Sequence, residues 1–201
     1  PEANNQYDKM PIMRGLKTFS PGRLSKRYNI DYKQERHWLP IENYENGSSN
    51  VKINDGKFAS RYEGEWMGQS GEKVRAFRPL EIKLEKPPKE VQDTSNSFPN
   101  WESQFCTNKD PIKITISKTL GTVATVFESL KIYTHGSSCP LTVRRFFRNA
   151  DATIKLRNGD EFRTNVTFSD DKGPVAIGYE TDVDAMSFSL CLNDLIDKFL
   201  S

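Results

Sequence analysis

Residues 152–168 read Ala-Thr-Ile-Lys-Leu-Arg-Asn-Gly-Asp-Glu-Phe-Arg-Thr-Asn-Val-Thr-Phe. Two runs of alternating apolar and polar residues flank Asn158 and Gly159, and both residue types tolerate the positive φ of a tight turn. The stretch therefore predicts a β-hairpin. Its large apolar side chains all occupy even positions, which predicts one buried face: Ile154, Leu156, Phe162, Val166 and Phe168.

The register of this hairpin follows from the rule that directly opposed residues of an antiparallel pair share a face. A two-residue loop would pair even with odd positions and place Leu156 opposite Glu161. A three-residue loop over 157–159 pairs even with even positions and places Ile154 opposite Phe162. The sequence therefore predicts the three-residue loop, with its glycine in the left-handed bulge position.

Further strands are predicted on both sides of the hairpin. Alternating apolar residues indicate strands in four places, over residues 80–84, 112–116, 141–147 and 175–179. Residues 51–66 predict a second hairpin around Asp55 and Gly56. Residues 119–134 combine apolar residues at helical spacing with several β-branched residues, and we favour a strand there because β-branched residues suit a pleated sheet.

The C-terminal residues predict an amphipathic helix. Asp182 or Asp184 can cap its start, because a carboxylate accepts hydrogen bonds from the free N–H groups of a helix. Apolar side chains then recur at helical spacing: Phe188, Leu192, Leu195, Ile196 and Phe199. The competing interpretation is a strand over 186–192, where apolar and polar residues alternate. The predicted fold class is α+β, a mainly antiparallel sheet or partial barrel with a C-terminal amphipathic helix.

In its layout, this predicted arrangement resembles pleckstrin-homology-like and polo-box-like modules. In both, several antiparallel strands are followed by one amphipathic helix at the very end of the domain. The resemblance covers the final ninety residues, which is less than half of the 201-residue chain. It implies a binding module, and its ligand would be either a peptide or a phosphoinositide.

Composition and charge reduce the number of function classes that fit the chain. The chain carries 29 basic and 27 acidic side chains, a formal net charge of +2, and this near balance excludes a uniformly nucleic-acid-binding protein. Twelve Phe, seven Tyr and three Trp are enough to build a core. No apolar run approaches the roughly 18 residues of a membrane-spanning helix.

Composition also divides the chain into three parts. Residues 1–38 predict a basic extended arm, residues 39–110 a β-rich segment, and residues 111–201 the antiparallel sheet with its helix. The turn-rich residues 86–111 contain four prolines and indicate either a linker or a long loop inside one domain. The two β-rich parts are therefore two domains or one, and the sequence leaves both readings open.

The basic extended arm is rich in cations and aromatic rings. Between residues 14 and 38, seven basic side chains stand against two acidic ones, a local charge of seven minus two, or +5. Lys and Arg neutralise phosphates, and Arg makes forked hydrogen bonds to carboxylates. This composition suits an acidic or phosphorylated protein, or a nucleic acid whose bases stack on the rings. The candidate partner-binding residues are Arg23, Lys26, Arg27, Arg36 and Trp38.

A second basic cluster, Arg144, Arg145 and Arg148, lies beside Phe146 and Phe147. One interpretation is an anion or phospho-ligand site, and the other is a set of outward arginines paired with nearby carboxylates. If the side chain of Phe147 faces inward on a strand, Arg145 shares its parity and faces inward as well. We add these three arginines to the candidate partner-binding residues.

The sequence contains no recognisable motif for metal binding, cofactor binding or catalysis. The three cysteines, Cys106, Cys139 and Cys191, are widely spaced without a CxxC pair, so we predict no metal, no cofactor and no disulfide framework. Cys106, Cys139 and Ser137 are candidate nucleophiles for His135 as a base, but the sequence shows no third group that would orient the imidazole. We therefore predict that the chain is not an enzyme.

Together these features predict a non-catalytic protein-interaction module, or scaffold, of an intracellular assembly in the nucleus or cytoplasm. Its partner would be an acidic or phosphorylated protein. The alternative is a nucleic-acid- or chromatin-binding domain that uses the basic aromatic arm. A phosphoinositide ligand rests on the layout resemblance alone, and the sequence does not indicate an oligomeric state.

Overall fold

The computed structural model of the chain describes residues 8–27, 36–117, 119 and 126–191. The described residues are mostly β, and the predicted α+β class with a C-terminal helix is wrong. Residues 185–190, which the helix would have included, form a strand. The remainder of the predicted helix, residues 192–199, lies outside the described residues.

The described chain contains one α-helix, α1 (Ile12–Thr18), and a series of strands. In chain order the strands are β1 (Ser48–Lys52), β2 (Phe58–Met67), β3 (Lys73–Ile82), β4 (Asn96–Cys106), β5 (Ile112–Ile114), β6 (Phe127–Tyr133), β7 (Leu141–Lys155), β8 (Glu161–Asp170), β9 (Gly173–Pro174), β10 (Ala176–Val183) and β11 (Ala185–Leu190). Short 3-10 helices lie at Tyr44–Asn46 and His135–Ser137.

The chain divides into two compact units, each built from two stretches of sequence. The first unit comprises Pro1–Ser103 and Arg145–Tyr179, and the second comprises Gln104–Arg144 and Glu180–Ser201. Strands β1, β2, β3, β8 and β9 lie in the first unit, and strands β5, β6 and β11 lie in the second.

The β7–β8 hairpin has the predicted register. Ile154 lies opposite Phe162, and Lys155 lies opposite Glu161. The three-residue loop is confirmed, with Gly159 at a φ of +100° and the backbone N–H of Leu156 donating to the carbonyl of Asp160 at 2.8 Å. The positive φ explains the glycine, because a side chain is strained in that conformation.

The large sheet that contains this hairpin is mixed, with the strand order β1-β8-β7-β10-β3-β2. Strand β1 pairs with β8 in parallel, and β10 pairs with β3 in parallel. The second hairpin predicted around Asp55 and Gly56 is therefore wrong, because β1 and β2 have different partners. Parallel neighbours need a long crossover, so local turn signals cannot reveal them.

The core of the first unit lies on the even face of the hairpin. The side chains of Ile154, Val166 and Phe168 are fully buried there. They pack with apolar residues that come from distant parts of the chain, namely Leu16, Trp38, Leu39, Ile41, Val51, Ile53, Val91, Phe147 and Ile177. Burying one large apolar side chain contributes about 1.5–3 kcal/mol before entropy is subtracted. A second, smaller cluster of the same unit comprises Trp66, Val74, Ala76, Phe146 and Ala176.

Residues 8–27 of the predicted basic arm pack into the first unit. Helix α1 follows Pro11 and buries the side chain of Leu16. Phe19 and Ser20, which come next, are also buried, and the hydroxyl of Ser20 lies 2.9 Å from the hydroxyl of Ser97. The described part of the arm therefore contributes both core residues and buried hydrogen bonds.

The second unit contains an antiparallel three-stranded sheet in the order β11-β6-β5. Phe188 lies opposite Leu130, and Leu130 lies opposite Ile114. Strands were predicted for residues 112–116 and, in the ambiguous segment, for 119–134; β5 and β6 confirm them within 112–114 and 127–133. Phe188 was assigned to a helix because its spacing to later apolar residues fits the 3.6 residues of a helical turn. Residues 186–190 instead alternate with a period of two and pair with β6.

One ion pair links strands that are not neighbours in the large sheet. Arg75 on β3 makes a forked contact with Asp170 at the end of β8, with Nη1–Oδ2 and Nη2–Oδ1 distances of 2.5 and 2.6 Å. The sheet is curled, and this pair joins strands separated by two others in the strand order. The hydrogen bond from Arg75 is the main reason why the pKa of Asp170 lies below its usual range.

We expect the Asp170→Asn variant to be less stable than the wild type by about 1–2 kcal/mol at neutral pH, because it loses a charge-assisted pair. Since the folded-state pKa of Asp170 is lowered, the pair stabilises the protein above the unfolded-state pKa and stops doing so as pH falls through the folded pKa. Urea unfolding at pH 7 and at decreasing pH should show the two proteins converging. In an Arg75→Gln background, the Asp170→Asn substitution should cause little further loss of stability at pH 7. A stability difference between the wild type and Asp170→Asn that stays constant in acid would refute this account.

We expect the Gly178→Ala variant to be destabilised by about 1–3 kcal/mol, because strand β10 passes too close to β7 for a side chain. An added Cβ would lie 2.4 Å from the carbonyl oxygen of Arg145 and 2.5 Å from the Cβ of Phe146. Gly15→Ala is the matched control in the same unit, since its Cβ would meet only the flexible side chain of Met10, at 3.4 Å. Denaturant midpoints measure both, and equal midpoints would disprove the steric argument.

Candidate functional site

The turn-rich segment that begins at residue 86 is docked against the tip of the β7–β8 hairpin. The backbone N–H of Arg157 donates to the carbonyl of Glu90, and the backbone N–H of Gln92 donates to the carbonyl of Lys155, both at 2.7 Å. The Gln92 side-chain amide also donates to the carbonyl of Leu156 at 2.6 Å. Val91 between them is fully buried. The segment is therefore fixed by backbone hydrogen bonds and by one apolar anchor.

This docking creates an open concave surface beside the hairpin tip. The surface, which we call the basic concave surface, is a shallow depression of about 590 Å³ that is open to solvent. It is lined by Arg36, Lys89, Glu90, Arg157 and Asn158. Three cationic side chains thus stand against one carboxylate. They come from three separate stretches of the chain, and only the folded first unit brings them together.

Arg36 is the most firmly positioned of these cations. Its Nη1 donates to the carbonyl of Val91 at 2.6 Å and to Oδ1 of Asp93 at 3.1 Å. Lys26 reaches the other oxygen of the same carboxylate at 2.6 Å. These hydrogen bonds, first from Lys26 and then from Arg36, hold the pKa of Asp93 below its usual range. Two of the predicted partner-binding residues therefore meet on one carboxylate.

The sequence prediction missed Lys89 and Arg157. Both side chains are exposed. Arg157 is the first residue of the three-residue loop, so the loop length already predicted that it would lie at the tip of the hairpin. Lys89 gave no comparable signal, because its position depends on the docking of Glu90 and Gln92 against the hairpin.

The other predicted residues of the arm occupy different environments. Trp38 is only 2% exposed and belongs to the core cluster. Its backbone exchanges two hydrogen bonds with Glu85, each of 3.0 Å. Arg23 donates from Nη1 to the carbonyl of Lys17 at 3.0 Å. Neither Arg23 nor Arg27 lines the basic concave surface.

The arginines of the second basic cluster that lie in the first unit are engaged by side chains of that unit. Arg148 makes ion pairs with Glu72 and, at 2.7 Å, with Glu102. The guanidinium of Arg145 lies over the ring of Trp101, with 5.3 Å between its Cζ and the ring centroid. A cation over an indole face is a favourable contact, and it explains how an arginine with the parity of buried Phe147 is accommodated.

Arg144 belongs to the second unit and has a carboxylate partner there. Its Nε donates to Oε2 of Glu180 at 3.1 Å. The three arginines of the second cluster therefore carry their own counter-charges or ring partners. On these contacts the outward, paired interpretation describes Arg144 and Arg148, whereas the basic concave surface has an excess of positive charge.

His135 has an orienting group that the sequence did not reveal. Its Nδ1 lies 2.8 Å from Oδ1 of Asp184, and the pKa of Asp184 is lowered, first by the backbone N–H of His135 and then by its ring. The candidate nucleophiles have other partners. The Ser137 hydroxyl donates to the carbonyl of Thr134, the Cys139 thiol to that of Lys109, and the Cys106 thiol to that of Thr142. The described residues therefore show no hydrogen bond between a nucleophile and this imidazole.

Comparison with known proteins gives no relative: no family model, curated protein or solved structure matches the chain. Within the described ranges, no three His, Cys, Asp or Glu side chains are grouped so as to hold a metal ion. None of the helices in the described part of the chain is long and apolar enough to cross a membrane.

We expect Trp38→Ala to lower the free energy of unfolding by about 3–5 kcal/mol, because the indole is buried in the core. Such a loss is comparable to the whole stability of many domains, so the variant should melt at a much lower temperature or fail to fold. Trp38→Phe should lose less, and alanine at the exposed Leu80 of the same unit should change little. An unchanged melting temperature for Trp38→Ala would show that this residue serves a surface instead.

Proposed function

We propose that this chain is a non-catalytic protein-interaction module that binds an acidic or phosphorylated segment of a partner at the basic concave surface. The observation that carries the proposal is the convergence of Arg36, Lys89 and Arg157 on one open surface with a single carboxylate, Glu90. Clustered cations on one surface attract an anionic partner and raise its association rate.

The chemistry of arginine supports this choice of ligand. A guanidinium presents donors in a planar fork that matches a carboxylate or a phosphate. Arg36 is already held by Val91 and Asp93, so little side-chain entropy remains to be lost when an anion binds. Arg157 and Lys89 are exposed, and their positive charges lie within the same surface.

A phosphorylated segment fits this surface better than a singly charged one. A phosphate monoester carries a charge of about −1.5 to −2 at neutral pH and offers three acceptor oxygens, whereas a carboxylate carries −1. With Glu90 counted, the three lining cations leave a net charge of +2, which one phosphate can neutralise. The surface is open, which suits an extended peptide that lies across it.

The alternative of a nucleic-acid-binding domain shares the phosphate chemistry but needs stacking groups for unpaired bases. Trp38, the aromatic candidate in the described part of the arm, is buried. The tyrosines of the arm, Tyr28 and Tyr32, lie outside the described residues. The exposed cations could also contact the phosphates of a nucleic acid, so single-stranded DNA is tested as a competing ligand.

We expect a phosphoserine peptide with acidic neighbours to bind the intact chain, and the Lys89→Glu/Arg157→Glu variant to weaken binding about tenfold or more, because each reversal turns attraction into repulsion. Arg163→Glu is the matched control. Arg163 is also an exposed arginine of the hairpin, with its side chain 84% exposed, and it contacts Glu161 outside the basic concave surface. Fluorescence anisotropy measures the affinities, and the control should stay within about twofold of the wild type.

Three results would overturn the proposal. One is equal loss of binding in the control variant, which would mean that any basic side chain suffices. Another is displacement of the peptide by single-stranded DNA at lower concentration than by unlabelled peptide, with a steep dependence on salt, which would favour the nucleic-acid function. The third is preferential binding to vesicles that contain a phosphoinositide, which would assign the surface to a lipid headgroup.

A further inference from the structure

The three-stranded sheet of the second unit has one face made of apolar side chains. Pairing places Ile112 opposite Ile132 and Ile132 opposite Met186 in one row, and Ile114, Leu130 and Phe188 in the next row. Since directly opposed residues point to the same side of a sheet, these six residues form one continuous surface. We call it the apolar face: Ile112, Ile114, Leu130, Ile132, Met186 and Phe188.

The outer strands of the apolar face are open to solvent. Phe188 is 60% exposed and Met186 59% on β11, and Ile112 is 46% and Ile114 39% exposed on β5. The opposite side of the same strands carries Lys113, Lys131 and Ser187, which are polar. A sheet with one polar and one apolar side normally buries the apolar side, so the exposure of this face indicates a docking surface.

The dimensions of the apolar face limit what can occupy it. The face is three strands wide, about 14 Å at about 4.8 Å per strand, and covers three residue positions along each strand, about 10 Å at about 3.3 Å per residue, so its area is roughly 140 Å². A stable interface between two copies of a protein needs about 800 Å² from each. Stacking two apolar faces would therefore not hold a dimer, and the face suits a smaller element of a transient partner.

A single helix has the appropriate size. An α-helix is about 10 Å across, and 13 residues span about 20 Å, so one helix of this length covers most of the face. A helix with apolar residues at positions i, i+3, i+4 and i+7 presents a stripe that fits over two or three rows of a sheet.

The charge at one end of the apolar face adds a further requirement. Asp184 precedes Ala185, with the same parity as Met186, and its side chain is 64% exposed. Its carboxylate is ionised at neutral pH, because its pKa is lowered by hydrogen bonds from His135. Asp110 is also exposed, two positions before Ile112. A helix that docks here gains from a cationic side chain at that end.

We propose that the apolar face binds an amphipathic helix of a partner protein, with an apolar stripe against Met186, Phe188 and the adjacent strands and a basic residue near Asp184. This surface belongs to the second unit and is independent of the basic concave surface. Failure of one proposal therefore leaves the other intact, and the Lys89→Glu/Arg157→Glu variant should bind the helix as the wild type does.

The test uses the full chain and two synthetic peptides of 15 residues made only of Leu and Lys. In one peptide the Leu residues form a helical stripe, and in the other the same residues are shuffled so that no stripe forms. We expect the stripe peptide to bind with a Kd of about 10–100 μM, as for a small transient interface, and the shuffled peptide to bind at least tenfold more weakly.

Two variants locate the binding surface. Phe188→Asp should weaken the binding of the stripe peptide at least tenfold, because it places a charge in the apolar face. Ser187→Asp, one residue away on the polar side, should change the Kd less than twofold. Hydrogen exchange of the wild type provides a measurement that needs no variant: the stripe peptide should slow exchange over 127–133 and 185–190.

Four outcomes would overturn the proposal. The first is equal binding of the stripe and shuffled peptides, and the second is equal binding by the Phe188→Asp and Ser187→Asp variants. The third is a dimer of the wild type in sedimentation that Phe188→Asp abolishes, which would assign the face to a second copy of the chain. The fourth is stripe-peptide binding only after deletion of residues 192–201, which would assign the face to this chain's own terminus.

Discussion

The register of the β7–β8 hairpin is the constraint on which the first unit depends. Because the loop has three residues, every even position of both strands points to the same side, and Ile154 and Val166 are buried together. A slip of one residue would move that whole set to solvent. Strand β8 pairs with β7 through one edge and in parallel with β1 through the other, and the same register places Arg157 at the hairpin tip.

The basic concave surface shows how a local feature becomes a site through distant contacts. The hairpin tip supplies Arg157, but the surface exists because residues 89–92 donate and accept backbone hydrogen bonds there and because Arg36 is tied to Asp93. Backbone hydrogen bonds hold the segment in place, and the ion pair orients one cation. The side chains of Lys89 and Arg157 remain exposed, while the backbone groups beside them are paired.

The second unit illustrates why hydrophobic spacing can mislead. Residues 186–190 alternate, whereas the longer apolar pattern from Phe188 onward fits a helix, and the two templates overlap in sequence. The observed strand is decided by β6, which offers a partner edge with apolar residues at matching positions. A periodicity describes which residues can share a face, but the competition between helix and strand is settled by which neighbour is present to complete the hydrogen bonds.

Features with local causes could be predicted from the residues alone. These are the three-residue loop, its even-with-even pairing, several strand positions and the basic character of residues 14–38. Four features depend on contacts between distant segments and became visible in the folded chain: the parallel pairings, the burial of Trp38, the meeting of Lys26 and Arg36 on Asp93, and the approach of Lys89 to the hairpin tip. The physical reason is that side-chain alternation records which way a residue points, whereas the identity of its neighbour is set by packing between segments that lie far apart in the chain.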